Sequence, residues 1–399
     1  MTEQTIEEQP TFFHLGIAPK LLDQIADQQF DQPTPIQSKS IPIAMKGKDV
    51  IGIAQTGTGK TLAFALPMIQ QISRQGGIGL VMLPTRELAE QVDDEFRKFG
   101  GKFGLRTAIL IGGASMSRQI SDLRAKPHVI IATPGRLIDH LEQKQLTLDN
   151  VGYLVLDEAD RMLDMGFEPQ IRKVLRTVPK KRQTFLFSAT MPDKIAKITR
   201  KYMNNPERVE VAPAGTAADL VKQVGYVVER HDRLRLLVQL MHDLSGKVLV
   251  FSRTKHGAQR ISQTLRLAGF DSAELHSDRS QAQRRQALQG FKSDRYRILV
   301  ATDIASRGID VSNIEYVINF DLPDKIEDFI HRIGRTGRAG KEGVAISFVS
   351  RDQKEELGAI ENLIHDRLDL KDLPELPNLP AMPKRNFRRR SNPRPHFKR

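Results

Sequence analysis

Two stretches hold residues whose types and spacing can do chemistry. The first is Ala54-Gln55-Thr56-Gly57-Thr58-Gly59-Lys60-Thr61. Gly57 and Gly59 let the backbone curl until its N–H groups face a phosphate. Lys60 can reach β- and γ-phosphates, and the Thr61 hydroxyl can ligate magnesium. A helix starting here would add the positive end of its dipole. The strict pattern opens on Gly, where this chain has Ala54. The second stretch is Asp157-Glu158-Ala159-Asp160, after the apolar run Tyr153-Leu154-Val155-Leu156. Like charges at the end of a buried strand repel, and each costs desolvation. A cation, or a partner that brings one, resolves the conflict. Acids favoured by a helix N-terminus are the plainer reading, and the phosphate loop displaces it. Asp157 then suits a magnesium shell, through water. Glu158 is placed to orient or deprotonate a water attacking a γ-phosphate. Asp160 reads as a structural or coupling residue that pairs with a polar neighbour, and Asp164 as helix surface.

Short β-rich runs alternating with helical patterns must position these groups. The runs are 49–54, 78–83, 107–111, 128–132, 153–156 and 184–188, then 224–228, 247–251, 296–301, 316–320 and 344–349. Continuous apolar strands separated by helices indicate parallel sheets covered on both faces. In such sheets ligands sit beyond the carboxyl ends of the strands, which is where Asp157 and the loop would meet. The rhythm pauses over 204–220, read as an edge strand running into a linker. The fold class is therefore α/β, with two parallel-sheet domains in tandem: 1–207, a linker at 208–220, a second domain at 221–366, and a disordered basic tail at 367–399.

The chain has 399 residues and a formal net charge of +13. Lys384–Arg399 carries eight Lys/Arg and no acid. A basic chain with a basic tail points to a polyanion partner. There is no cysteine, which excludes disulfides and thiolate metal sites and fits a cytoplasmic protein. No apolar run approaches the ~18 residues needed to span a bilayer.

Further motifs carry a resemblance. "PTREL" (84–88), "TPGR" (133–136), "SAT" (188–190) and "HRIGRTGR" (331–338) stand with the two stretches above in an order and spacing that resembles the DEAD-box RNA helicases. The short core and basic tail look most like the bacterial RhlE-type branch. The resemblance implies two RecA-like domains that bind ATP, magnesium and RNA across their cleft. "FDQPTPIQ" (30–37) resembles the adenine-reading Q motif, with Gln37 on the base edge, Phe30 stacked on the ring and Phe12 as its upstream aromatic. Arg86, Arg136 and Arg253 resemble RNA-phosphate contacts, with Gly113, Gly135, Thr133 and Thr302 bringing donors close to the strand. Arg335 and Arg338 resemble arginine fingers that complete the site from the second domain. Asp310 and the Gly308 backbone resemble ribose and nucleotide contacts. His331, with Ser188, Thr190 and Asp160, resembles the coupling elements. With no Trp and five Tyr, the chain lacks a base-stacking platform, which favours backbone tracking with little sequence preference. A DNA translocase with the same core, and an RNA clamp with a vestigial ATP site, are the rival readings.

Overall fold

A computed structural model of the chain describes residues 11–55, 57–211, 221–306, 311, 313–337 and 342–379. Each half builds one seven-stranded sheet in which every pairing is parallel. The first sheet contains β1 (Val50–Ile53), β2 (Ile78–Met82), β3 (Thr107–Leu110), β4 (Val129–Ala132), β5 (Val151–Leu156), β6 (Gln183–Ser188) and β7 (Glu207–Glu210). Its order is β3-β4-β2-β5-β6-β1-β7. The second contains β8 (Val221–Val227), β9 (Val248–Phe251), β10 (Ser272–Leu275), β11 (Ile298–Ala301), β12 (Tyr316–Asn319), β13 (Gly343–Val349) and β14 (Asp369–Lys371). Its order is β10-β11-β9-β12-β13-β8-β14.

The strands are apolar on both sides because helices cover both faces. In the first domain Phe64, Phe96 and Phe187 fill one face, and Leu137, Met162 and Leu186 the other. Gly52 in β1 is required by packing: a Cβ there would lie 2.3 Å from the Phe187 ring. Both domains start a helix in the same way. After β2, the Thr85 hydroxyl accepts the Leu88 N–H and caps Arg86–Gly100. After β9, the Thr254 hydroxyl accepts the Gly257 N–H and caps Lys255–Leu267. Each cap satisfies an orphan amide just beyond the carboxyl edge of a sheet.

The boundaries differ from those expected. β7 pairs with β1 from Glu207 to Glu210, so 208–210 belong to the first sheet rather than to a linker. β14 pairs with β8, so the second domain runs past residue 366. Beyond β14, Arg235 donates to the carbonyls of Leu376 and Pro377, and Leu376 and Leu379 pack on the second core. Prolines in this stretch impose an extended path along the domain rather than detachment from it. The rest of the expected linker (212–220) and of the expected tail (380–399) lies outside the described residues. β10 is "SAEL", an edge strand whose polar Ser272 and Glu274 hide it among the apolar runs, with the buried Glu274 paired to Arg279.

Candidate nucleotide and nucleic-acid cleft

The strand order sorts the site. β1, β6 and β5 are adjacent in the sheet, and their carboxyl ends deliver the phosphate loop, Ser188–Thr190 and Asp157–Asp160 to one stretch of edge. β2, β4 and β3 form the other half and deliver Arg86, Thr133–Arg136 and Gly112–Gly113. The second sheet repeats the division: β9 and β11 lead to Arg253 and Thr302, while β12 precedes the helix Glu327–Ile333 that leads into Arg335. Residues far apart in sequence thus fall into two groups along each edge.

In the first group, Gly57 and Gly59 both have φ of 86°, a left-handed conformation in which glycine carries no Cβ penalty. Gly59 precedes the helix Lys60–Gln75, whose first turn includes Thr61. Lys60 is buried, and its Nζ donates to the Ala54 carbonyl at 3.0 Å. The Gln55 carbonyl accepts the Thr58 hydroxyl at 2.8 Å. Thr56, Gly308, Asp310 and Arg338 lie outside the described residues. Gln37 is buried with both ends of its amide engaged: Oε1 accepts the Thr34 N–H at 2.9 Å, and Nε2 donates to the Gly59 carbonyl at 3.0 Å. It caps its own helix and braces the phosphate loop. Each amide atom retains capacity for one more bond. Phe30 is 36% exposed and lines a cavity of about 400 Å³ with Gln37, Lys60, Thr61, Asp157 and Glu158. Its ring tilts against Phe99 with 6.1 Å between centroids. Phe12 departs from the expectation. It is 3% exposed and packs into the first core, so its ring has no face to offer a base.

The carboxylates have distinct surroundings. Asp157 Oδ1 accepts the Glu158 N–H at 2.9 Å. Burial pushes the Asp157 carboxyl up to about 6, only partly offset by Lys60. Burial acts the same way on Glu158, but Arg161, Lys60 and Arg335 outweigh it and hold that carboxyl down at about 2. Arg161 Nη1 lies 2.6 Å from Glu158 Oε2, with both side chains about 4% exposed. Asp160 ties two motifs together. Its Oδ2 accepts the Ala189 N–H, the Thr190 N–H and the Thr190 hydroxyl at 2.9–3.0 Å, while the Ser188 hydroxyl accepts the Asp160 N–H at 3.2 Å. Asp164, expected as plain surface, sits 3.8 Å from Lys325 across the cleft.

In the second group, the Arg86 guanidinium lies against the glycine pair. A Cβ on Gly113, where φ is 76°, would meet Arg86 Nη1 at 2.3 Å. Thr133 stands at the N-cap of Pro134–Glu142, and Gly135 in its first turn has open space at the Cβ position. Arg136 is held beside Asp139 and Met116. Arg253 pairs with Asp324 at 3.1 Å and donates to the Leu322 carbonyl. The Thr302 N–H donates to the Leu275 carbonyl at 3.2 Å, which fixes the turn out of β11.

Sequence reasoning missed the residues that fasten this arrangement. Arg284 donates to Glu87 of the first domain at 2.7 Å, and both are buried. Arg285 pairs with Glu90 beside it. Arg332 is buried, grips the Asp303 carboxylate with two bonds of 2.6 and 2.7 Å, and lies over the Phe251 ring. Arg335 Nε donates to the His331 carbonyl at 3.2 Å. The Glu158–Arg161 spacing of three was the one available signal, since residues three apart at the start of a helix can reach one another.

Among the described residues no helix is long and apolar enough to cross a membrane. Family models match the DEAD/DEAH box helicase domain over residues 34–198 and the helicase conserved C-terminal domain over 232–340. The ATP-dependent rRNA helicase RRP3 of Candida albicans is 46% identical over 362 residues, covering 90% of this chain and 68% of that protein. DEAD-box ATP-dependent RNA helicase 30 of Arabidopsis thaliana is 46% identical over 343 residues, 83% of this chain and 58% of that one. The structure of S. cerevisiae Dbp5 bound to RNA and ADP BeF3 superposes with a TM-score of 0.80 at 30% identity, covering 91% of this chain and 95% of that chain. With two RecA-like parallel-sheet domains, both family domains and relatives matched over most of its length, the chain belongs to the DEAD-box family of ATP-dependent RNA helicases.

Proposed function

We infer that this protein binds ATP with the nucleotide half of each sheet edge and RNA with the other half, and that both ligands favour the closed arrangement of the domains. Each ligand then tightens the other's binding by linkage. One observation carries the reading: Arg335 of the second domain lines the same small cavity as Arg161 of the first, whose guanidinium is paired at 2.6 Å with buried Glu158. A site divided in this way is complete only when the domains meet.

Phe30 and the remaining bonding capacity of Gln37 would hold the adenine, and Ala54–Thr61 the phosphates. Lys60 leaves the Ala54 carbonyl for the β- and γ-phosphates. Asp157 is a buried carboxylate whose charge is under-compensated, which fits a divalent cation. Thr61 and Asp157 would hold magnesium, which when bound supplies charge neutralisation on the phosphates. Glu158 orients the attacking water, and Arg335 with Arg338 offsets charge gathering on the γ-phosphoryl group. Gly308 and Asp310 would reach the ribose. Arg86, Arg136 and Arg253 grip RNA phosphates, with Gly113, Thr133, Gly135 and Thr302 around them. Asp160 reports hydrolysis to Ser188 and Thr190, and His331 relays it across the cleft. Closure bends one strand of a duplex and so separates it locally, and hydrolysis to ADP and phosphate then reopens the cleft.

The test is phosphate release from ATP by the full chain, with RNA or DNA of equal length. RNA should stimulate and DNA should not. Arg335→Ala should lower turnover by ~10³ or more at saturating RNA, the range arginine fingers supply. Equal stimulation by DNA would favour the translocase, and RNA binding without any phosphate release would favour the clamp. The RhlE-type placement is our reading of the short core and basic tail, and a cytoplasmic location of the absent cysteines. Ribosomal RNA, named for the fungal relative, is the first substrate to try.

A further inference from the structure

Glu158 occupies an unusual place. It stands between the end of β5 and the helix Ala159–Asp164, in a left-handed conformation with φ of 50° and ψ of 50°. A β-carbon makes that conformation costly, so it persists only where the surroundings over-determine it. The helix that follows is six residues long and carries no side-chain cap. A helix this short has little stability of its own. The carboxylate of Glu158 therefore needs a fixed partner if it is to hold a water in one position.

That partner is Arg161. It is 3% exposed and lies 2.6 Å from Glu158 Oε2. Its own backbone is held, because its N–H donates to Asp160 Oδ1 at 2.9 Å. Arg161 also reaches the other domain. It lines a small cavity at the junction with Phe251, Asp303, Asp328, His331, Arg332 and Arg335. All six belong to the second domain, and Arg332 is clamped to Asp303 within it. The guanidinium is thus seated between the water-orienting carboxylate and the wall that arrives on closure.

We propose that Arg161 is a positioning residue for Glu158, and that closure of the second domain completes its seating. The inference rests on the reading of Glu158 as the residue that orients the attacking water. Arg161 does not line the cavity formed by Phe30, Gln37, Lys60 and Thr61, and its carboxylate partner is Glu158 rather than a residue of the proposed RNA-facing half of the edge. Its loss should therefore lower the rate of the chemical step and leave ligand affinities alone. Misplacement of a catalytic group by ~1 Å can cost about 10²-fold in rate.

The experiment compares the full chain with Arg161→Gln, Arg161→Lys, Glu158→Gln and the double variant Glu158→Gln/Arg161→Gln. Turnover is measured at saturating RNA, with RNA half-saturation and binding of a fluorescent ATP analogue alongside. Arg161→Gln should lower turnover by about 10- to 100-fold, with both affinities held within about twofold. Arg161→Lys should recover much of the loss, since it restores a cation to the carboxylate. In the Glu158→Gln background Arg161→Gln should cost nothing further, as expected of residues that act as one unit. Full turnover in Arg161→Gln would overturn the proposal. So would an equal loss in both backgrounds, or a loss confined to RNA half-saturation. Full turnover in Glu158→Gln alone would instead remove the underlying reading of Glu158. Thermal unfolding reports whether each variant folds, and if Arg161→Gln does not, Arg161→Lys with and without Glu158→Gln carries the same comparison.

Discussion

Gln37 shows how one side chain can serve two purposes. Its amide closes the N-terminal turn of its own helix and braces Gly59 in the phosphate loop. Those bonds fix which end of the amide points where, so the remaining donor and acceptor are pre-oriented for a base. Adenine offers the complementary acceptor and donor, and guanine mismatches them. ATP should therefore outcompete GTP in the intact protein. Gln37→Ala should narrow that preference by about tenfold or more, because a mismatched buried amide costs ~1–3 kcal/mol. It should also lower stability by about 1 kcal/mol through loss of the capping bond. Competition of each nucleotide against a fluorescent ATP analogue reads the first effect, and denaturant unfolding the second. Equal affinities for ATP and GTP in the unmutated chain would remove the adenine-reading role.

At the scale of elements, one connection positions the proposed RNA half of the first sheet's edge, and a second closes the far side of the second sheet. Gln119 Nε2 donates to the Ile111 carbonyl at 2.9 Å, and its Oε1 lies 3.1 Å from His140 Nε2. This chain joins the glycine-pair loop to the helix Pro134–Glu142 that carries Arg136. His140 is fully buried, and burial, then Arg136, pushes its pKa below the ordinary value, against a smaller pull from Asp139. The unfolded chain thus takes up this proton more readily than the folded one. The resulting stability is present above pH ~6.5 and is lost as pH falls through that value toward the lower folded pKa. His140→Gln should unfold with a shallower acid dependence than the unmutated chain between pH ~7 and ~5. Parallel slopes would show that His140 does not titrate on unfolding. The second connection is β14 with its extension. Leu368 is buried, and Leu376 and Leu379 pack against the second core. A burial of ~1.5–3 kcal/mol for each fully buried leucine sets the upper scale. Truncation after residue 366 should therefore lower the unfolding midpoint clearly, while truncation after 383 should leave it unchanged. Equal midpoints would mean that the strap adds nothing to the domain.

For the whole molecule, charge is divided between fastening and capture. The seam between the domains pairs Glu87 and Glu90 with Arg284 and Arg285, and Asp164 with Lys325. Only the Arg284–Glu87 pair is buried, so the outer pairs are screened by salt. Lys384–Arg399 holds eight further cations beyond every proposed catalytic residue. Each RNA phosphate this segment neutralises should steepen the salt dependence by ~0.7 on single strands. Deleting 384–399 should weaken RNA binding, flatten the plot of log affinity against log salt, and leave turnover at saturating RNA nearly unchanged. A salt titration with ATPase measured alongside checks both. An unchanged slope would mean that the segment does not touch RNA, and a collapse of saturated turnover would place it in the catalytic core.

The sequence alone determined what depends on local order. The alternation of continuous apolar strands with helices specified two parallel sheets, because strands buried on both faces leave an unmistakable run. The glycine-rich loop after β1 and the carboxylates after β5 were legible as a candidate site because each has particular residues in consecutive positions. What tertiary structure decided was which partners those residues take. Phe12 reads as the upstream aromatic of the adenine-reading motif but is core, because burial depends on what folds over it. Arg332 stands inside "HRIGRTGR" and Arg284 in no motif that sets it apart, yet each is bound to a carboxylate distant in sequence, Asp303 and Glu87. β10 and β14 carry weak strand patterns and form because a neighbouring edge supplies their hydrogen bonds. The division of each edge into two groups of residues, proposed here for nucleotide and RNA, follows from strand order, and strand order is a non-local property that no single stretch of sequence encodes.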